Sequence, residues 1–310
     1  MNTLAEAIQD YVDLRQGLGF KLVQAEGWLK DFAAFMDTHG QSWVSTELAL
    51  QWAVQPVGGQ PTYWAKRLIA VRGFARYRSA TDARTDIPER GLLPNRPRRA
   101  KPYLYSEHEI ANLLAAACAL KSDNGLRGQT YYCLFGLLAV TGLRISEALG
   151  LQCQDVDLQQ GLLTIRGAKF GKSRLVPLHH STRHALEQYA KRRDAQFDHP
   201  VAANFLVSDR GQALRGSTVR ETFCQLSVQT GLRGPADRTG PRLHDFRHRF
   251  ATETLLRWYR SGEDIERRLP ALSTFLGHSR TSDTYWYISA CPELMGEAAR
   301  RLAQRWEKST

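Results

Sequence analysis

The sequence predicts a mainly α-helical protein of two domains with one small antiparallel β-sheet. Three observations carry that reading. The chain has 310 residues, more than a single hydrophobic core usually serves. Apolar residues recur at helical spacing through most of it. The pattern turns strand-like in one place: two short runs, residues 162–166 and 174–178, flank a glycine-containing turn and predict a hairpin or short meander.

In the first 90 residues, Leu4, Ile8 and Tyr11, then Leu29, Phe32 and Met36, then Leu48 and Trp52, then Trp64, Leu68 and Val71 fall at helical spacing between glycine-marked turns. They predict a small helical bundle. Its last helix, about residues 61–79, carries Lys66, Arg67, Arg72, Arg76 and Arg78 and no acidic residue. Such a helix suits a DNA groove or phosphate backbone, although a solvated charged face accounts for the same pattern. Residues 95–102 hold two prolines and four cations, Arg96, Arg98, Arg99 and Lys101, and read as an extended basic linker. Ser106 and Glu109 then form a capping box that opens a helix with Ile110, Leu113, Leu114 and Ala117 on one side. A further apolar helix covers residues 131–140. After the hairpin, helices start at Ser181 and, capped by Thr218 and Glu221, near residue 218; two more cover 243–256 and 292–306. The expected division is 1–94, a linker 95–102, and 103–310.

Composition narrows the partners. With 43% hydrophobic and 24% charged residues the chain resembles an ordinary globular protein. Its longest apolar stretch, residues 131–140, is about half what a bilayer span needs, and the N-terminus lacks the order of a secretory signal, so neither membrane insertion nor export is expected. Five scattered cysteines without a CxxC predict reduced, mostly buried thiols and no disulfide or zinc framework. Forty-two Lys and Arg against 31 Asp and Glu leave a net charge of +11, concentrated after residue 95 and dominated by Arg. An arginine-rich excess favours bidentate capture of phosphate, which makes nucleic acid the leading partner.

Four segments of the second domain hold residues suited to phosphodiester chemistry. In Ala139-Val-Thr-Gly-Leu-Arg-Ile-Ser-Glu-Ala-Leu149, Arg144 sits at the start of a short helix, aimed at a phosphate, with Glu147 three residues on to orient it. The hairpin tip offers Lys169 and Lys172, either of which suits protonation of a leaving oxygen, although edge strands also carry lysine merely to block aggregation. In Arg242-Leu-His-Asp-Phe-Arg-His-Arg-Phe-Ala-Thr252, His244 and Arg247 share a helix face, while His248 points elsewhere and reads as structural or backbone-contacting. In Phe275-Leu-Gly-His-Ser-Arg-Thr-Ser-Asp-Thr-Tyr-Trp-Tyr287, His278 follows a glycine and Tyr287 lies nine residues on. His179, His180 and His184 lack carboxylate or cysteine partners at ligand spacing, so no metal site and no cofactor are expected. Asp155 and Asp157 read as turn formers.

In this order, TGLRISEAL, a lysine hairpin ending in VPL, HDFRH, LGH and the tyrosine nine residues later closely resemble the tyrosine recombinase (phage integrase) family. The resemblance implies an N-terminal helical core-binding (SAM-like) domain that clamps DNA, joined to an α+β catalytic domain. It makes Arg144 and Arg247 the phosphate-binding arginines, Lys169 the hairpin lysine with Lys172 as alternative, and His244 and His278 the histidines around the scissile group. Tyr287 becomes the nucleophile, with Tyr285 as alternative. Lys66, Arg67, Arg72, Arg76, Arg98, Arg99, Lys101, Lys172 and Arg174 are the expected DNA contacts. The implied partner is double-stranded DNA with an inverted-repeat core site, bound by a homo-oligomer, a tetramer on two sites, with companion recombinases possible. The implied location is the cytoplasm, on the nucleoid. The segment between Thr252 and His278 favours a transposon-borne recombinase over a chromosome or plasmid dimer resolvase. A catalytically silent DNA-binding protein and a type IB topoisomerase stay open as alternatives. The amphipathic tail, with Met295, Ala298, Leu302 and Trp306 along one side, is expected to link protomers, or else to pack on its own domain.

Overall fold

The computed structural model of the chain describes residues 3–95, 101–167, 173–197, 202–237, 239–278, 280–289 and 291–307. It divides into two compact units, Met1–Ala100 and Lys101–Thr310. The first holds four helices, α1 (Leu4–Gly17), α2 (Val23–Thr38), α3 (Thr46–Val54) and α4 (Pro61–Arg78). Local chemistry sets where three of them start. Thr3 and Glu6 exchange hydrogen bonds in a capping box, the Ser45 side chain accepts from the Leu48 N–H, and Pro61 occupies a first turn that needs no donor. The core is built from Leu4, Ile8, Tyr11, Leu29, Phe32, Met36, Trp52, Leu68 and Val71, as the periodicity predicts; Leu48 and Trp64 are only half-buried.

Two of the expected DNA contacts on α4 are occupied inside this unit. Arg67 is 6% exposed; its Nη2 donates to Asp31 Oδ2 and the Trp52 carbonyl, both at 3.2 Å, and its guanidinium lies 3.8 Å over the Trp52 ring. It shares the core-facing side of α4 with Val71 and Phe74, four and seven residues on, and is a structural residue. Arg72 is half-buried and donates to the carbonyls of Pro88, at 2.6 Å, and Glu89. Lys66 and Arg76 are exposed.

The second unit contains α5 (Glu107–Cys118), α6 (Leu126–Thr141), α7 (Ile145–Gly150), β1 (Val156–Asp157), β2 (Leu162–Ile165), β3 (Arg174–Pro177), α8 (His180–Gln196), α9 (Gly216–Gln229), α10 (Asp245–Arg260), α11 (Ile265–Leu276), α12 (Ser282–Ser289) and α13 (Pro292–Glu307). The strands form an antiparallel sheet in the order β1-β2-β3, with Leu163 opposite Val176 and Ile165 opposite Arg174. The expected Ser106–Glu109 capping box opens α5. Helix α9 begins at Gly216, so Thr218 lies inside it and does not cap it. Both aspartates act as turn formers: Asp155 accepts from the Gln152 N–H at 3.2 Å and, buried, also pairs with Arg166 at 2.5 Å, and Asp157 accepts from the Gln159 and Gln160 N–H groups. Of the cysteines only Cys133 and Cys291 are buried; Cys118 and Cys153 are exposed. No helix among the described residues is long and apolar enough to cross a membrane.

Two hydrophobic clusters fill this unit. The larger surrounds α6 and includes Phe246 at the start of α10; the smaller joins Ala251, Leu255 and Leu256 of α10 to Leu269, Leu272 and Leu276 of α11 and to Tyr287 and Leu294. Helix α10 therefore runs from one cluster to the other, and Arg247 lies at the seam. Gly142 ends α6 there in the left-handed conformation, φ +61°, and a Cβ on it would lie 2.8 Å from the Phe250 ring and 3.2 Å from Leu276. Gly142→Ala is expected to cost about 1–2 kcal/mol for the left-handed backbone and a further ~1–3 kcal/mol for overpacking, measured by urea unfolding.

Candidate active site

At the seam, six elements converge: α6, α7, β3, α10, α11 and α12. Arg144 is the N-cap residue of α7, with backbone φ −69° and ψ 144°, and its side chain folds back toward α11. Glu147, in the first turn of α7, accepts from the Arg144 N–H at 2.9 Å and from Arg144 Nη1 at 2.8 Å. Its two oxygens also accept from Arg174 Nη1 and Nη2, at 3.0 and 2.8 Å. Burial alone would raise the Glu147 carboxyl, but the hydrogen bonds from Arg174 and the Arg144 backbone, with the Arg174 charge, override it and hold it at about 2.

Arg247 is 1% exposed and donates from Nη1 to the Gly142 carbonyl at 2.9 Å and from Nη2 to the Leu276 carbonyl at 2.5 Å. Both acceptors lie at helix C-termini, where carbonyls lack intrahelical partners and the helix dipole favours a cation. Burial lowers its pKa, and the neighbouring Tyr287 side chain opposes that shift. Tyr287, in α12, is 3% exposed, whereas Tyr285 is 53% exposed.

Three imidazoles surround this pair. The His278 ring stacks on Tyr287 with centroids 5.9 Å apart, and its Nδ1 pairs with the buried Thr284 Oγ1 at 2.8 Å. Burial, then the charges of Arg247 and Arg144, push its pKa down to about 4. His244, the N-cap of α10, is exposed on one side, and partial burial with the nearby Arg247 charge lowers its pKa. His248 does not point away from the site: it packs between His244, Trp286 and Tyr287, with ring centroids 4.8, 4.8 and 5.3 Å away. Its Nδ1 is buried without a hydrogen-bond partner, and burial with the neighbouring His244 pushes its pKa down to about 4.

These histidines make the fold acid-sensitive. Between the ordinary histidine value of 6.5 and about 4 the unfolded chain binds protons that folded His248 and His278 do not. Their contribution is therefore full above pH 6.5 and is lost as the pH falls toward 4. Glu147 stays ionised throughout that window. The melting temperature is expected to fall between pH 7 and pH 4.5, and the fall is expected to be shallower in His248→Phe; an equal slope in both proteins contradicts this.

The structure thus brings together Arg144, Glu147, His244, Arg247, His278 and Tyr287. Arg174, expected at DNA, is corrected: its side chain is 9% exposed and every donor bond it makes is internal, to Glu147 and to the Phe275 carbonyl at 2.7 Å. Lys169, Lys172, Arg98 and Arg99 lie outside the described residues, and Lys101 is exposed. Sequence reasoning missed Thr284 and the inward role of Arg174. The His278–Thr284 spacing of six residues gave Thr284 no local signal, and the partner of Arg174 is 27 residues away.

Residues 104–293 match the phage integrase family. The chain belongs to that family. A protein named as an integrase/recombinase, y4rB of Sinorhizobium fredii, is 53% identical over 314 residues and covers 100% of both chains. The tyrosine recombinase XerD of Caulobacter vibrioides is 33% identical over 241 residues, covering 76% of this chain and 73% of its own. Among solved structures, the Tn1549 transposon integrase in complex with transposon right-end DNA superposes with a TM-score of 0.67 at 17% identity, covering 98% of this chain and 99% of that one, which shows the shared fold. This tyrosine recombinase therefore carries its buried tyrosine, paired arginines and histidines in the unit that the family match spans.

Proposed function

We propose that this recombinase cleaves and rejoins double-stranded DNA at a specific inverted-repeat site through a phosphotyrosine intermediate on Tyr287. The observation that carries the reading is the burial of Tyr287, its ring packed against His248 and stacked on His278, in the neighbourhood of Arg247 and Arg144. A phosphate entering that space meets fixed cations before any chemistry starts, which is the preorganisation a pentacoordinate transition state needs. Arg247 spends one N–H on each of two carbonyls and keeps the others for phosphate oxygens.

In the forward step the Tyr287 oxygen bonds to phosphorus and the bond from phosphorus to the 5′-oxygen breaks. His244, held neutral by its lowered pKa, takes the phenolic proton, and the leaving oxygen gains one from Lys169, or from Lys172. His278, its Nδ1 engaged by Thr284, presents Nε2 to a phosphate oxygen. Attack by a 5′-hydroxyl on the phosphotyrosine reverses each transfer, so rejoining needs no external energy source.

The division of labour follows the two units: residues 1–94 as a core-binding clamp, 95–102 as a basic linker and 103–310 as the catalytic domain. Arg72 and exposed Arg76 of α4, with Arg90 beyond it, line a groove of about 1240 Å³ suited to a phosphate backbone, and Lys66 is exposed on the same helix. The Tn1549 relative, solved on transposon DNA, favours a mobile-element role. Helix α13 packs on its own unit through Leu294, and Arg301 donates to the Trp258, Tyr259 and Glu263 carbonyls; Met295, Leu302 and Trp306 are exposed along one side. That stripe suits a neighbouring protomer of a tetramer. Removing residues 292–310 is expected to abolish assembly on paired sites; unchanged assembly contradicts the role.

The test uses a duplex bearing the sequence that the full-length protein enriches from a random pool, nicked beside the cleavage position so that the short strand diffuses away. A covalent adduct on a denaturing gel is expected. Binding without any adduct makes the protein a silent DNA-binding one.

A further inference from the structure

We propose that Arg174 is a positioning residue for strand cleavage: from the first position of β3 it sets both Arg144 and the turn carrying His278, through the Glu147 carboxylate and the C-terminal carbonyls of α11. This rests on the cleavage reading above.

The last carbonyls of a helix have no partner within it and carry the negative end of its dipole. At the end of α11 three consecutive carbonyls are each taken by an arginine from a different element. Arg174 Nε of β3 donates to Phe275, Arg247 Nη2 of α10 to Leu276, and Arg144 Nη2, at the start of α7, to Gly277, at 2.7, 2.5 and 3.0 Å. His278 is the next residue.

Arg174 grips the other end of the same assembly. Its Nη1 and Nη2 form a bidentate pair with Glu147, whose two oxygens also accept from the Arg144 N–H and Nη1. All four acceptor sites of that carboxylate are filled. Both restraints on the Arg144 guanidinium, Glu147 and the 275–277 segment, are thus also held by Arg174. The turn is shaped around this guanidinium: Gly277 has φ +67°, and a Cβ there would lie 2.6 Å from Arg174 Nη1. Lysine cannot reproduce the arrangement, because one ammonium cannot span both Glu147 oxygens and the Phe275 carbonyl.

The experiment compares wild type, Arg174→Lys, Arg174→Gln, Glu147→Gln and the Arg174→Gln/Glu147→Gln double variant on the nicked duplex, with either a normal phosphate or a neutral methylphosphonate at the scissile position. Thermal melting is recorded alongside. Misplacing Arg144 is expected to slow adduct formation by about 10²-fold in Arg174→Gln. The defect is expected to shrink markedly on the methylphosphonate, which needs less charge neutralisation, and the double variant is expected to be no slower than the slower single one. Equal defects on both substrates, or additive rates in the double variant, overturn the positioning role. So does failure of both Arg174 variants to fold, which would make the residue structural. A wild type that forms no adduct sinks the cleavage reading itself, whereas equal variant defects sink only the role of Arg174.

Discussion

Tyr287→Phe is expected to leave the fold and DNA binding unchanged and to lower covalent adduct formation by on the order of 10⁴-fold or more, the scale seen when a nucleophile is removed. The loss is confined to one hydroxyl in the neighbourhood of Arg247. The phenyl ring keeps its place against His248, His278 and Trp286, so the second cluster stays packed. Tyr285→Phe is the control, because Tyr285 lies two residues away on the exposed side of α12. Its adduct yield is expected to match wild type. A denaturing gel reads both variants, and loss of the adduct in Tyr285→Phe would reassign the nucleophile.

Arg247→Ala is expected to damage stability and cleavage together. The guanidinium is the donor that the buried Gly142 and Leu276 carbonyls share, and leaving each unsatisfied costs about 1–3 kcal/mol. Urea unfolding is therefore expected to show a loss at least as large as one such term. Cleavage is expected to fall by about 10²–10³-fold from the lost transition-state charge alone. Arg247→Lys separates the two effects: it keeps a positive charge but cannot serve two carbonyls and a phosphate at once. A cleavage defect in Arg247→Lys larger than its stability loss explains would place the guanidinium on the phosphate; wild-type cleavage in either variant would remove it from the mechanism.

Much of this molecule was legible in the sequence wherever the signal was local. The Ser106–Glu109 box starts α5, and the spacing of Leu4, Ile8 and Tyr11 marks the buried side of α1. The three segments carrying Arg144, then His244 and Arg247, then His278 and Tyr287 could be ordered from their motifs, and the fold brings those residues to one point. Other features were hidden for physical reasons. Strand β1 is two residues long, too short for any alternation to show. Pro270 inside α11 reads as a breaker, although Ile265, Leu269, Leu272 and Leu276 keep the helical spacing around it. Arg67 was expected on the surface because a cationic helix suggests a solvated or DNA-facing side, yet its spacing from Val71 and Phe74 places it on the core side. The three-arginine grip on Phe275, Leu276 and Gly277 joins residues far apart in the chain, and no periodicity encodes such a meeting.

The site's acid sensitivity and its chemistry share one cause. The same burial and arginine charges that keep His244, His248 and His278 neutral leave an imidazole free to accept the tyrosine proton. A protein tuned only for stability at low pH would not place three histidines beside two guanidinium groups.

The most direct measurement is mass spectrometry of the adduct trapped on the nicked duplex, after proteolysis and nuclease digestion. The account predicts a single modified peptide with the nucleotide phosphate on the Tyr287 oxygen, joined to the 3′ end of the cut strand, and a free 5′-hydroxyl on the released strand. A nucleotide on Tyr285 or any other side chain, or one joined through a 5′-phosphate, would contradict it.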